Sequence, residues 1–209
     1  VDNSHLADDA VDSDEIAAGA IDAAHLASGV GGSLVQLHTQ TITTNVSSIS
    51  YSSTYITTAY KRYELHWDSV RISSDGGNIM STVSADNGSS YVTTGYTYWR
   101  LFSMSTGSNN TLQSSGTTGN SALFMSGTGD GIGTATSEAA SGTMIMYDPF
   151  NENTKFFMTD AVHITSTGVI QQNKTYQALI QSATWNNLKI VPNTGTINAG
   201  TFTLYGVVS

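Results

Sequence analysis

Arg62-Tyr63-Glu64-Leu65-His66-Trp67-Asp68-Ser69-Val70-Arg71-Ile72 is the stretch of sequence that decides the fold class of this chain. As far as Trp67, large apolar side chains alternate with charged or polar ones, which predicts a β-strand with one buried face. From Val70 onward the apolar residues occupy the opposite phase, so we expect a β-bulge near Asp68 and Ser69. The stretch thus indicates a sheet that covers a core on one side.

Similar segments recur through the rest of residues 33–209, where Thr, Val, Ile, Tyr and Phe favour strands and Gly-, Asn- and Ser-rich breaks separate them. No segment after residue 32 shows a helical period over more than two turns. About eight to ten short strands predict an all-β domain, an antiparallel β-sandwich or jelly roll. The further strand candidates are Leu34–Thr43, Asn78–Val83, Tyr91–Met104, Ser121–Met125, Thr143–Tyr147, Thr154–Ile164, Thr175–Thr184, Leu188–Val191 and Thr201–Val208.

Two long segments rich in Gly, Ser and Asn interrupt these strands, at residues 103–120 and 127–142. We expect loops of this length to be either functional or mobile, and to lie at one end of the sandwich. Their lack of aromatic residues weakens the binding interpretation, so both interpretations stay open. The candidate surface-binding residues in these segments are Asn109, Asn110 and Asp130.

Aromatic residues concentrate in one of the predicted strands. Tyr96 and Tyr98 share one face of that strand, and Trp99 and Leu101 share the other. One interpretation is that one face enters the core and the other packs on a neighbouring subunit. The alternative is a sugar-stacking platform of Tyr96, Tyr98 and Trp99 with Arg100, and on that basis Tyr96 and Tyr98 are further candidates for surface binding.

The first thirty residues are three ten-residue units without insertions, which begin at Val1, Val11 and Ile21. Asp follows at the second position of every unit and suits an N-cap, so each unit predicts one helical turn and then an extended step. A short repeat cannot bury its apolar face alone, so we expect partner chains and a stalk. The residues expected to face the axis of a homotrimer are Val1, Leu6, Ala7, Val11, Ile16, Ala17, Ile21, Leu26 and Ala27.

Charge separates a stalk, residues 1–32, from a β domain, residues 33–209. The first thirty residues hold seven of the sixteen acidic residues and no Lys or Arg, and thus −7 of the formal net charge of −9. The acidity disfavours nucleic acid and anionic membranes as partners, and no apolar run suits membrane insertion. A disordered acidic tail is the alternative to a packed stalk. The absence of cysteine suits assembly in a reducing cytosol.

The ten-residue units resemble the Ala-Val-Asp/Thr-Ser-x-x-Ile/Leu-Ala-x-Gly repeats of tail fibres and other appendage proteins of bacteriophages, especially those of marine and cyanobacterial hosts. The segment 194–206 is similar to the closing strand of such proteins, in which an Asn/Gly-rich turn leads into Gly-Thr-Phe-x-Leu-Tyr-Gly. The segments 58–65 and 91–99 resemble their Tyr-x-x-Tyr-x-Leu and Tyr-x-Trp strands. The first unit departs from the pattern, because Asp9 stands where the other two units have Gly.

This resemblance implies a virion structural protein, assembled in the host cytoplasm, with a jelly-roll-like head on a thin trimeric stalk. We expect a non-enzymatic tail fibre or spike whose β domain contacts the host cell surface, with surface glycan as a partner. The N-terminal side would join other virion proteins, of the tail or of the capsid. Two alternatives stay open: a capsid-attached head fibre or decoration protein, and a secreted bacterial carbohydrate-binding module on an acidic linker.

No motif in the chain marks an active site or a cofactor. The carboxylates are scattered and no two stand out as a glycosidase pair, while Asp160 and His163 among many serines do not define a triad. No phosphate-binding or dinucleotide-binding fingerprint occurs. His5 and His25 occupy the same position of the repeat, but a solvated histidine is the simpler interpretation. We therefore predict no enzyme, no cofactor and no metal.

Overall fold

The structure confirms the predicted antiparallel β-sandwich. A computed structural model describes residues 33–106, 109–126, 130–181 and 183–208, which form two packed sheets and contain no helix. The stalk and its nine proposed axis residues lie outside these described residues. The strands are β1 (Leu34–Ile42), β2 (Ile49–Tyr51), β3 (Arg62–Ile72), β4 (Ile79–Ser84), β5 (Tyr96–Thr106), β6 (Asn109–Asn120), β7 (Leu123–Phe124), β8 (Ala140–Tyr147), β9 (Lys155–Ile164), β10 (Ile170–Leu179), β11 (Asn187–Pro192) and β12 (Ile197–Val207).

Eight of these strands pair in the nested manner of a jelly roll. In the larger sheet β1 pairs with β12, which pairs with β3, and β3 pairs with β8; in the smaller sheet the order is β2-β11-β4-β7. Two hairpins continue the larger sheet beyond β8. Strand β8 pairs with β9 of the first hairpin, β9–β10, and β10 pairs with β5 of the second hairpin, β5–β6. We call these four strands the extension. The larger sheet therefore has eight strands against four in the smaller one.

Strand β3 lies in the larger sheet between β12 and β8, and its alternation is as the sequence predicts. Tyr63, Leu65 and Trp67 are fully buried in the core shared by the two sheets. The predicted bulge is confirmed, because the register with β8 shifts between Trp67 and Val70 and Ser69 has a φ of 52°. The bulge returns Val70 to the core and so corrects the change of phase in the sequence.

The expectation that residues 103–120 form a loop is wrong. Strand β5 continues to Thr106, and Asn109–Asn120 forms β6, so the segment is a hairpin. Its Ser-, Thr- and Gly-rich sequence has low strand propensity, and pairing with β5 outweighs that propensity. Strand β2 gave no sequence signal because it has only three residues. Strand β10 begins at Ile170, before the predicted segment 175–184.

Of the second predicted break the structure describes residues 130–142; residues 130–139 hold no regular strand, whereas residues 140–142 already belong to β8. Isolated bridges connect Ile132 to Gly77 and to Thr165. This segment is therefore fixed across the end of the sandwich rather than projecting from it.

The inner face of the extension combines core residues such as Tyr96, Phe157 and Leu179 with buried polar side chains, whereas the core under β3 is apolar. Gln177 on β10 bridges the two sheets: the Phe124 N–H donates to Gln177 Oε1 at 2.6 Å, and Gln177 Nε2 donates to the Phe124 carbonyl at 2.9 Å. The Gln177 amide thus makes the two backbone hydrogen bonds to β7 that a neighbouring strand would otherwise make. The buried polar side chains on this face are Arg100, Lys155, Thr159, His163, Gln171, Asn173, Thr175 and Gln177.

His163 belongs to a hydrogen-bonded group on this inner face. Gln171 Nε2 donates to Asn173 Oδ1 at 2.9 Å, and the Asn173 amide lies 3.5 Å from His163 Nδ1. Burial, and secondarily the positive charge of Arg100, lowers the pKa of His163 to about 4. The imidazole is therefore neutral in the folded chain at neutral pH.

The first prediction compares two phenylalanines in the larger sheet. Phe202 on β12 is 0% exposed and Phe156 on β9 is 57% exposed. Phe202→Ala should lower the free energy of unfolding by about 3–5 kcal/mol, because it leaves a cavity in the core. Phe156→Ala, as the matched control, should change it by about 0.5 kcal/mol or less. Urea unfolding measures both, and equal losses would contradict the described core.

The second prediction concerns pH. An unfolded histidine titrates at its ordinary pKa of 6.5, whereas folded His163 titrates at about 4. Between these values the unfolded chain binds the extra proton, so stability should fall as pH falls, by roughly 1 kcal/mol per pH unit. His163→Gln should remove this part of the pH dependence in urea unfolding, whereas His66→Gln should retain it. Identical pH profiles for the His163 variant and the unmodified chain would refute the assignment.

Candidate functional site

A cleft crosses the outer face of the larger sheet, the face turned away from the smaller sheet. Its volume is about 760 Å³, and it extends from β3 over β8, β9 and β10 to β5. We call it the outer cleft. A smaller depression of about 190 Å³ shares Ser103 and Gln172 with it and continues to β6. The outer cleft is lined by His66, Asp68, Ser103, Met104, Ser105, Ser141, Gly142, Thr143, Asp160, Ala161, Val162, Ile170 and Gln172.

The strand register brings the polar lining residues together. His66 lies opposite Thr143, Thr143 lies opposite Asp160, and Asp160 lies opposite Lys174. Lys174 in turn lies opposite Leu101 on β5. Successive residues of a strand point to opposite faces. Leu65 and Trp67 point into the core, so His66 between them points outward. These residues form one row across five strands, roughly 19 Å wide at the usual strand spacing.

The charged groups of this row are paired with one another. Lys174 Nζ lies 3.0 Å from Asp160 Oδ2, and about half of each side chain is exposed. The hydrogen bond and the charge of Asp160 raise the pKa of Lys174. His66 Nε2 lies 3.3 Å from Glu64 Oε2. The lining thus offers carboxylate acceptors, hydroxyls and an amide, and the ammonium group beside it already has a partner.

Exposed aromatic rings lie on the same face near the outer cleft, four residues along β5 and β10 from its lining residues Ser103 and Gln172. Trp99 on β5 lies opposite Tyr176 on β10, and their ring centroids are 5.8 Å apart at an interplanar angle of 33°. Trp99 is 49% exposed and Tyr176 is 40% exposed. Both stand two residues along their strands from the row of Lys174 and Leu101. Other exposed apolar residues on this face are Leu112, Phe156, Val162 and Ile170, and a patch of this kind marks an interaction surface.

Of the predicted surface-binding residues, Tyr96 is a core residue. It is 1% exposed, and its hydroxyl accepts a hydrogen bond from the Val83 N–H at 3.1 Å. Its assignment to the surface is wrong because its face of β5 points inward. Tyr98 lies on the same face, partly buried, with an edge-to-face contact to Phe124 at 5.0 Å. The predicted separation of faces is confirmed, with Trp99 on the outside.

The other three predicted residues lie at one end of the larger sheet. Asn109 and Asn110 begin β6, paired with the last residues of β5. The backbone carbonyl of Asp130 accepts hydrogen bonds from the amide and the hydroxyl of Ser166, both at 3.1 Å, in the turn between β9 and β10. Asn110 pairs with Ser105 on β5. Tyr98 lies seven residues before Ser105 on the same strand, which is roughly 23 Å at the rise of a strand. The structure therefore does not bring the predicted residues together as one site.

Sequence reasoning missed the outer cleft, and β9 shows why. In β9 the polar Thr159 and His163 are buried, while the apolar Phe156 and Val162 are exposed. Burial alternates regularly along β9, but polar and apolar residues occur on both of its faces. The sequence indicated an outward-facing part of the cleft only on β3, where the polar residues His66 and Asp68 alternate with core residues.

In comparisons with protein-family models, curated proteins and solved structures, nothing matches this chain. Among the described residues, no group of three or more His, Asp or Glu side chains is placed to hold a metal ion. The same part of the chain has no helix long and apolar enough to cross a membrane. The outer face of the larger sheet and the ten-residue repeats are therefore the features that bear on function.

The third prediction concerns the charges of the outer cleft. Asp160→Asn should lower the pKa of Lys174 toward its ordinary value, because the substitution removes the negative charge. It should leave the urea midpoint unchanged, since exposed ion pairs contribute little to stability. An NMR titration of the lysine side chains measures the pKa, and Asp68→Asn, three strands away, is the control that leaves it unaltered. A marked loss of stability would instead give Asp160 a structural role.

Proposed function

We propose that this chain is a non-enzymatic structural protein of a bacteriophage virion, a homotrimeric tail fibre or spike whose β-sandwich contacts the host cell surface. The observation that carries the proposal is the outer face of the larger sheet. That face presents a cleft lined by both polar and apolar side chains, with the exposed rings of Trp99 and Tyr176 near it on the same face. A surface with both polar groups and exposed apolar rings fits recognition rather than packing within one chain.

The repeats support the trimeric part of the proposal. Three units in strict register present Val or Ile at the first position and Leu or Ile at the sixth, which suits a shared apolar axis. The stalk leads directly into β1, which begins at Leu34. A stalk of this kind would hold three β-sandwiches side by side, with the N-terminal side joined to other proteins of the tail.

The fourth prediction tests the trimer in the full-length chain. The combined substitutions Leu6→Ser, Ile16→Ser and Leu26→Ser remove one apolar layer from each unit, so the particle should dissociate to one third of its mass. The matched control is Asp8→Ser, Asp14→Ser and Glu15→Ser, which changes three residues expected to face water and should leave the trimer intact. Size-exclusion chromatography with light scattering measures the mass, and a monomeric unmodified chain would refute the trimer.

Cryo-electron microscopy of the intact virion tests the attachment point. Density for the β-sandwich on the tail supports a fibre or spike, and density on the shell would support the head fibre or decoration protein instead. A secreted bacterial carbohydrate-binding module is a second candidate function, favoured by the aromatic pair beside the cleft. A monomer that binds one sugar tightly would favour that candidate.

A further inference from the structure

We propose that the outer cleft binds a neutral oligosaccharide laid across the strands, with its hydroxyls bound to Asp160, Gln172 and Thr143 and one sugar ring packed on Trp99. The inference rests on the proposed function and names the ligand class of the same face. It is carried by three features of the cleft: its hydrogen-bonding groups, its charge, and its aromatic flank.

The hydrogen-bonding groups match the chemistry of sugar hydroxyls, which both donate and accept. Asp160 accepts only, and Gln172 and Thr143 can do both. A carboxylate that accepts from two adjacent hydroxyls makes charge-assisted bonds, which are stronger than neutral ones. About half of the Asp160 side chain is exposed in the free chain, so binding needs no rearrangement to reach it.

The charge of the cleft excludes an acidic ligand. Asp68 and Asp160 contribute two carboxylates to the lining. The nearby ammonium group of Lys174 lies 3.0 Å from Asp160 and is already neutralised by it. A uronic acid, a sialic acid or a phosphate would meet repulsion from these two carboxylates, and Lys174 beside them is already paired with Asp160. A ligand without charge avoids that cost and keeps the hydrogen bonds.

The aromatic flank supplies the apolar contact that a sugar ring needs. The C–H face of a hexose is apolar, and it packs on an exposed indole while the hydroxyls at the ring edge face the polar row. Trp99 is held in place by Tyr176, 5.8 Å away on the next strand. The smaller depression, with Leu101 and Leu112, continues the apolar side toward β6.

The dimensions favour a chain of sugars over a single ring. The cleft crosses five strands, roughly 19 Å, and it has a volume of about 760 Å³. Because the cleft lies across an open sheet face, each site would bind weakly. Three sites on one trimer, and several trimers on one particle, would raise the apparent affinity through effective concentration.

The test uses calorimetric titration of the full-length chain with defined probes. The neutral probes are linear glucose, mannose and galactose oligosaccharides, and the acidic probe is an oligogalacturonide of equal length. We expect at least one neutral probe to bind and the acidic probe not to bind. Trp99→Ala and Asp160→Ala should each weaken binding by about tenfold or more, as truncation of a central contact does.

The matched control is Leu34→Ala, which removes an exposed apolar side chain on β1, six strands from Trp99 in the same sheet, and should bind as the unmodified chain does. Circular dichroism and urea unfolding establish that each variant is folded. Binding of no neutral probe, preference for the acidic probe, or unchanged binding by folded Trp99→Ala would each overturn the inference. The inference would also be overturned if the sandwiches associate with one another and Trp99→Ala abolishes that association, because a second copy of the chain would then occupy the face.

The two proposals fail separately. A virion-bound trimer whose cleft ignores every neutral probe would overturn the ligand class and leave the fibre in place. A monomer that binds a neutral oligosaccharide at Trp99 and Asp160 would overturn the fibre and leave the binding site in place.

Discussion

The two-residue alternation of strand β3 is the constraint on which the rest of this molecule depends. Its inward side chains, among them Tyr63 and Trp67, join the core between the sheets. Its outward side chains, His66 and Asp68, enter the outer cleft. A slip of one residue in the pairing of β3 would exchange the two sets and lose both the core and the cleft. The bulge at Ser69 keeps the alternation in phase to the end of the strand.

The jelly-roll strands other than β2 were predictable from the sequence because burial there follows the usual rule, with apolar residues inside. In β9 the rule holds only in part: Phe157 is buried, but so is Thr159, and Phe156 is exposed. Sequence reasoning therefore missed Asp160 and its row, and it placed Tyr96 on the surface although that ring is buried as the rule expects. It also read β6 as a loop, because strand pairing with β5, a long-range contact, outweighs the low propensity of Ser, Thr and Gly.

The extension is attached by hydrogen bonds as well as by core side chains such as Tyr96, Phe157 and Leu179. Gln177 joins β10 to the backbone of Phe124 in the other sheet, and the group around His163 fills the inner face beside it. Buried polar groups of this kind are costly unless they are paired, so their partners fix one arrangement of the strands. That arrangement holds the outer row of Asp160 and Lys174 in register.

The nested order of the jelly roll has a consequence for how such a protein changes over time. The eight nested strands close their pairing without β5, β6, β9 or β10, since both hairpins are inserted between strands that already have partners. Most of the outer cleft and both flanking rings belong to these inserted hairpins. New hairpin sequences can therefore be tried while the framework is retained. The architecture places most of the outer cleft on hairpins that the nested framework does not need for its own pairing.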